Sequence, residues 1–157
     1  MRFSMKQLFP VLALSIAAAL TLTSCASIQR SRDQGAVRRL TDVINSGQSE
    51  KLSSMSVTPF LLDGEIVLLP ADVSAFWTGI EKAGFRVQGS ALESGVPVTA
   101  ESYRQFADTM EVKSFFSRYV KDNARILEMS TSSGRRIRIL TRSTWFSWKI
   151  LGLKGPF

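Results

Sequence analysis

Three hydrophobic regimes follow one another along the chain: one unbroken apolar run, then apolar residues at helical spacing, then short runs with a period of two. The unbroken run is Leu8 to Leu22, interrupted only by Pro10, Ser15 and Thr21 and preceded by Arg2 and Lys6. A positive flank, an apolar stretch and a small-residue end are the build of a secretory signal. A helix that crosses a bilayer needs about 20 apolar residues, so the run is short for a permanent span and its end favours cleavage. From Asp33 onward Val37, Leu40, Val43 and Ile44 recur at helical spacing, with Asp33 or Ser31 placed as N-cap and Gly47 placed to end the helix. Ser49 to Met55 adds a short second helix through Leu52 and Met55.

The pattern then changes. Pro59 to Leu62 and Glu65 to Leu69 flank Asp63-Gly64, a pair suited to positive φ at the centre of a type I′ hairpin turn. Apolar residues fall on both faces of these strands, which predicts cover on both sides. Pro70 ends the sheet, and Asp72 caps a helix carrying Val73, Phe76, Trp77 and Ile80 that stops at Gly84. Phe85 to Gln88 reads as a further strand, Ser90 to Thr99 as a loop or irregular edge, and Thr99 to Met110 as helical through Tyr103, Phe106 and Met110. Asp108 or Thr109, followed by Glu111, starts a helix to Lys121 with the stripe Val112, Phe115, Phe116, Tyr119 and Val120.

Ala124 to Ser130 and Arg135 to Arg142 read as strands around Ser132-Ser133-Gly134. A loop with Gly134 in the left-handed region pairs Leu127 with Ile139, Met129 with Ile137, Glu128 with Arg138 and Ser130 with Arg136. One face is then apolar and the other polar, whereas a two-residue loop would set Leu127 and Met129 beside arginines. After a turn near Ser143, Phe146, Trp148 and Ile150 alternate with Trp145, Ser147 and Lys149 in a third strand that ends before Gly152.

Helix, short helix, hairpin, helix and then antiparallel strands is an order similar to the NTF2-like superfamily. The run Phe60-Leu61-Leu62-Asp63-Gly64-Glu65-Ile66-Val67, followed by Asp72 to Gly84 with Phe76 and Trp77, resembles the hairpin and third helix of such domains. The resemblance spans residues 33 to 150 and implies an α+β fold, a cone in which a curved antiparallel sheet wraps around the N-terminal helices. The helix from Asp108 to Lys121 departs from the simplest pattern, in which strands follow directly.

Composition sharpens the reading of the leader. Cys25 is the one cysteine of the chain, and Leu22-Thr23-Ser24-Cys25 resembles the bacterial lipobox, which implies a diacylglycerol on the sulfur and cleavage before Cys25. The other readings are an uncleaved anchor with a free cysteine and an ordinary secretory signal. Lipidation predicts three segments: a signal at 1–24, a lipidated N-terminus with a short linker at 25–32, and one domain at 33–157. It leaves no thiol for a disulfide, so the fold rests on its core. By the same resemblance Ala26 after the cysteine favours the outer over the inner membrane. The linker from Ala26 to Arg32, about 7 residues at ~3.3 Å each, reaches at most ~25 Å, which keeps the domain near the bilayer.

Charge then picks out one surface. Of 20 Lys and Arg, Arg2 and Lys6 precede Cys25, while all 13 acids follow it, so the chain from Cys25 onward carries 18 cations and 13 anions, a net +5. Its last part, from Met129 to Phe157, holds Arg135, Arg136, Arg138, Arg142, Lys149 and Lys154 and no acid. Arg136, Arg138, Arg142 and Lys149 are the candidate contacts for an anionic surface. One reading is a solvated sheet face partly paired with Glu128. The other is contact with anionic head groups or acidic glycans, worth about 1 kcal/mol per cation near such a membrane surface. Export argues against nucleic acid as the partner.

Candidate chemistry is sparse. The chain has no histidine, which removes the commonest general base, Ser-His and Cys-His pairs and histidine metal ligands. It has no phosphate-binding glycine loop and no calcium-loop spacing of carboxylates, so neither cofactor nor metal is expected. Tyr103 and Tyr119 are candidates for lining a cavity or for ordinary core. The expectation is a membrane-anchored envelope lipoprotein with a non-enzymatic domain that binds a small apolar ligand or an envelope protein. An isomerase, cyclase or dehydratase on the same fold and a purely structural envelope component are the alternatives.

Overall fold

The computed structural model describes residues 8–89, 91–143 and 147–155, with side chains from residue 26 onward. The chain divides into two compact units, Met1–Arg32 and Asp33–Phe157. In the first, the described backbone is helical throughout as part of α1, Leu8–Asn45. Ala26 to Arg32 is therefore helix rather than extended linker, and the helix does not begin at Ser31 or Asp33. A capping residue needs non-helical backbone, and Asp33 instead sits within the helix with its carboxylate buried. Among the described residues no helix is long and apolar enough to cross a membrane.

The second unit is α+β. After α1 come α2 (Ser49–Met55), β1 (Ser56–Leu62), β2 (Glu65–Val67), α3 (Pro70–Lys82), β3 (Ala91–Pro97), a 3₁₀ turn at Ser102–Gln105, α4 (Met110–Tyr119), β4 (Ala124–Ser130), β5 (Arg136–Ser143) and β6 (Trp148–Lys154). The strands form one curved sheet in the order β2-β1-β6-β5-β4-β3. The β1–β6 pairing is parallel and the others antiparallel, so the sheet is mixed.

The two hairpins follow their turn residues. Asp63 and Gly64 have φ of 50° and 94° and pair Leu62 with Glu65. Gly134 has φ of 73°, and β4 and β5 pair Leu127 with Ile139, Glu128 with Arg138, Met129 with Ile137 and Ser130 with Arg136. α1 closes in a Schellman motif, with Gly47 N–H bonded to Ile44 C=O and Gln48 N–H to Val43 C=O.

Other elements shift for physical reasons. α3 starts one residue after Leu69, with Pro70 at the first helical position, so Asp72 lies in the first turn and does not cap. Phe85 to Gln88 is not a strand: the Asn45 side chain bonds both backbone groups of Val87, each at 2.8 Å, and occupies the partners a strand would use. Ser90 lies outside the described residues; of the two readings of Ser90 to Thr99, loop or irregular edge, the second holds for Ala91–Pro97, which is the edge strand β3 with a bulge between Leu92 and Ser94. Thr99 to Met110 contributes a single 3₁₀ turn in place of a helix. Thr109, rather than Asp108, caps α4, its hydroxyl accepting from Val112 N–H at 3.3 Å. Trp145 and Phe146 lie outside the described residues, and β6 continues through Gly152 to Lys154. Gly152 is a point of close approach, because a Cβ there would stand 2.6 Å from the Leu61 carbonyl oxygen where β1 meets β6.

Both sheet faces are covered, as expected for β1 and β2 and contrary to the one apolar and one polar face expected for β4 and β5. Val37, Leu40, Val43, Leu52, Phe60 and Trp77 from β1 and the first three helices pack on Leu127, Met129, Ile137 and Ile139. On the opposite face Tyr103, Phe106, Phe115 and Phe116 pack on Leu61, Ile126, Leu140 and Leu151. The helix that departed from the simple pattern thus provides a second cover. Ile126 and Leu140 need it, because they share a face with Glu128 and Arg138.

Candidate functional site

The face of the sheet held by α1, α2 and α3 is filled by the chain's own side chains. Phe60 and Trp77 are each 1% exposed, Leu40 1%, Leu52 2% and Ile139 0%. The Trp77 indole N–H donates to Ser56 Oγ at 2.9 Å, which in turn donates to Leu52 C=O at 2.9 Å, so the polar edge of this core is satisfied too. Tyr103 and Tyr119 do not line this face. Tyr103 is buried on the α4 side beneath Arg104 and Lys113, whose charged groups stand 5.7 and 5.8 Å from its ring centre. Arg104 is held further toward its charged form by the hydrogen bond with Tyr103 and by Glu101. Tyr119 is exposed and packs on Phe115.

One buried carboxylate stands at the rim of this unit. Asp33, from α1, accepts two bonds from Arg125 of β4: Nε to Oδ1 at 3.0 Å and Nη2 to Oδ2 at 2.8 Å. Arg125 Nη2 also donates to Gly95 C=O at 2.6 Å. A Cβ at Gly95 would collide with Asp33 Oδ2, so the glycine admits the pair beneath the edge strand. This fork-to-fork geometry ties α1 to β3 and β4 and leaves the carboxylate engaged. Nothing local in the sequence announces it, since Asp33 and Arg125 are 92 residues apart.

The four basic candidates separate into individual roles. Arg138 donates to Glu128 Oε2 at 2.9 Å and to Gln105 C=O at 3.2 Å. Its cross-strand partner Lys154 bonds Phe106 C=O, so the two cations hold the carbonyl end of the 3₁₀ turn onto the sheet. Arg136, more exposed, lies 3.5 Å from Glu93 and 3.6 Å from Glu128. Lys149 donates to Ser54 C=O at 2.7 Å near the end of α2. Arg142 stands opposite Lys149 in the ladder and is half-buried. Arg136 and Arg138 are thus brought together around Glu128, and Arg142 and Lys149 form a separate pair of neighbours. Cys25 lies within α1, and its side chain is outside the described residues.

No protein-family model matches the sequence, and no curated protein matches it. Solved structures do. Rd1NTF2_05, in a form carrying five substitutions, superposes with a TM-score of 0.51 at 14% identity over 82% of this chain and 99% of its own. The fold is NTF2-like. A DUF4783 family protein from Bacteroides ovatus (TM-score 0.42, 11% identity, 74% of this chain and 89% of its own) is a looser match. So is an NTF2-like protein with a cystatin-like fold from Novosphingobium aromaticivorans (TM-score 0.42, 16% identity, 89% and 86%). At these identities the likeness concerns fold alone, and an NTF2-like fold hosts unrelated functions.

Surface groups that sequence reasoning passed over gather elsewhere. A depression of about 160 Å³ lies where the segment after α3 meets the tip of the β4–β5 hairpin, with Arg86 and Arg135 on its wall. The adjacency of Arg135, Arg136 and Arg138 was visible in the sequence, but the approach of Arg86 depends on the irregular path of Phe85 to Gly89.

Proposed function

We propose that this is a lipid-anchored protein of the bacterial envelope, held to the outer membrane through acylated Cys25, whose NTF2-like domain is non-enzymatic and acts by contacting an envelope protein with its surface. The observation that carries the reading is the filled inner face: Phe60, Trp77, Leu40 and Leu52 occupy the space in which a chamber-forming relative would hold a ligand. Ligand sites are concave and largely pre-formed, so this packing favours surface contact over an enclosed apolar molecule. It also disfavours an isomerase, cyclase or dehydratase. Such chemistry needs a carboxylate free to take a proton in a pocket, and the buried Asp33 already accepts both prongs of the Arg125 fork.

The test is native mass spectrometry of the protein purified from its own organism, together with crosslinking in intact cells. The expected result is the mass of the acylated chain from Cys25 with nothing further bound, and a crosslink to one recurrent envelope protein. A co-purifying apolar molecule beyond the covalent acyl groups would overturn the surface reading in favour of an internal ligand. The acylated mass with no crosslink would leave an inert structural component as the better description.

A further inference from the structure

We propose that the tip of the β4–β5 hairpin and the segment after α3 form a binding site for a phosphate group. The depression between them, about 160 Å³, carries Arg86 on one wall and Arg135 on the other, and no carboxylate lines it. Among the described residues neither guanidinium has a carboxylate oxygen within 4.0 Å. The contrast with the β5 residues that follow Arg135 is sharp: Arg136 and Arg138 are neutralised by Glu93 and Glu128. Arg86 Nη1 donates to the Phe85 carbonyl at 2.9 Å, a neutral acceptor that leaves the guanidinium charge uncompensated, and Arg presents its donors in a planar fork that matches phosphate.

The hairpin loop supplies hydroxyl donors that are already held in place. Thr131 N–H bonds Arg135 C=O at 3.0 Å, Gly134 N–H bonds Thr131 C=O at 2.9 Å, and Gly134 has φ of 73°. Ser132 N–H donates to Gln88 C=O at 2.9 Å, which fastens the hairpin to the opposite wall. Thr131 and Ser133 hydroxyls lie 2.8 Å apart. Whichever of them donates in that bond, the other keeps its proton for an outside acceptor. Ser132 contributes a third hydroxyl on the lining.

The floor is apolar. Phe85 is half-buried and Ile137 fully buried, and both belong to the inner core. A hollow with a cationic, hydroxyl-bearing rim over an apolar floor suits a phosphate ester better than the bare ion, since the carbon next to the phosphate has a surface to rest on. Two sources carry that chemistry: a soluble phosphate or its ester, and the head group of an anionic phospholipid. The site is distinct from the sheet-face cations Arg136, Arg138, Arg142 and Lys149, and it does not depend on how Cys25 is modified.

The experiment follows backbone amide NMR shifts of the full chain in maltoside micelles during titration with inorganic phosphate and with glycerol 3-phosphate, against chloride at matched ionic strength. A parallel arm places the protein in nanodiscs of phosphatidylcholine with and without phosphatidylglycerol. The expected result is saturable shifts at Arg86 to Gln88 and Thr131 to Arg135, with affinity falling about tenfold or more in Arg86→Gln and in Arg135→Gln, the loss of one charge-assisted contact each. Both arginines are exposed, so both variants should fold, and unchanged shifts at the core amides of Ile126 and Ile139 would verify it. Saturation by the soluble anions identifies a soluble source. Shifts only in phosphatidylglycerol nanodiscs, lost in the same variants, identify the head group. Absent shifts in both arms, or weak unsaturable shifts spread equally over Arg38 and Arg118, would overturn the site.

Discussion

Two residues of this protein form a buried ion pair that no local pattern announces. Asp33 and Arg125 meet across α1 and β4 with Gly95 lying over them. Removing one member of a buried pair leaves the other charge without a partner, so Asp33→Ala should cost about 3 kcal/mol or slightly more, the lower end of the usual ~3–5, because the Arg125 side chain retains 20% exposure. Replacing both together, Asp33→Leu with Arg125→Met, should recover most of that loss, since apolar substitutes for a buried pair are often neutral or better. Gly95→Ala should cost about 1–3 kcal/mol by overpacking. Urea unfolding of the four proteins checks all of this. A loss under about 1 kcal/mol for Asp33→Ala would mean that the pair does not clamp the helix.

At the level of elements, legibility tracked the range of the interaction that decides each one. The β4–β5 hairpin was readable because its register is settled by neighbours: Leu127 and Met129 must face Ile139 and Ile137, and a slip of one would set them beside arginines. The Asp63-Gly64 turn was readable for the same reason. The start of α1 was not, because Asp33 looks like a cap locally and its real partner is on a strand far along the chain. Phe85 to Gln88 looked like a strand until Asn45 took its backbone bonds. The covered outer face was missed because Ile126 and Leu140 sit among Glu128 and Arg138, and only the arrival of Phe106, Phe115 and Phe116 gives them a core. The pairing of Arg138 with Glu128 was legible from the register, whereas the bonds of Arg138 and Lys154 to carbonyls of the 3₁₀ turn were not, because that turn reaches the sheet from a distant part of the chain. Arg138→Met should therefore raise hydrogen exchange at the Phe106 and Ala107 amides, both of which bond Tyr103 C=O, while leaving the Ile139 amide protected. Equal exchange at all three in variant and parent would show that the cation does not hold the turn. Thr109→Ala, which removes the α4 cap, should cost about 1 kcal/mol.

For the molecule as a whole, the distribution of charge and the position of Cys25 make one argument. All 13 acids follow Cys25, as do 18 of the 20 cations, so what a lipidated Cys25 would anchor is a moderately basic chain. A single acyl chain holds a protein to a bilayer only reversibly, and stable attachment needs a second lipid chain or a basic patch. A diacylglycerol on the sulfur meets that requirement without help from the domain. Cys25→Ser should then abolish incorporation of labelled fatty acid and move the protein out of the membrane fraction or stall it as precursor. Arg136→Gln with Arg142→Gln should leave fractionation unchanged in the Cys25 parent. The combined outcome is the informative one: if the arginine variant released the protein while Cys25→Ser did not, attachment would be electrostatic and the lipobox reading would fall. If neither variant released it and the Cys25 parent itself incorporated no labelled fatty acid, the apolar run at Leu8 to Leu22 would be holding the chain directly and the lipobox reading would fall.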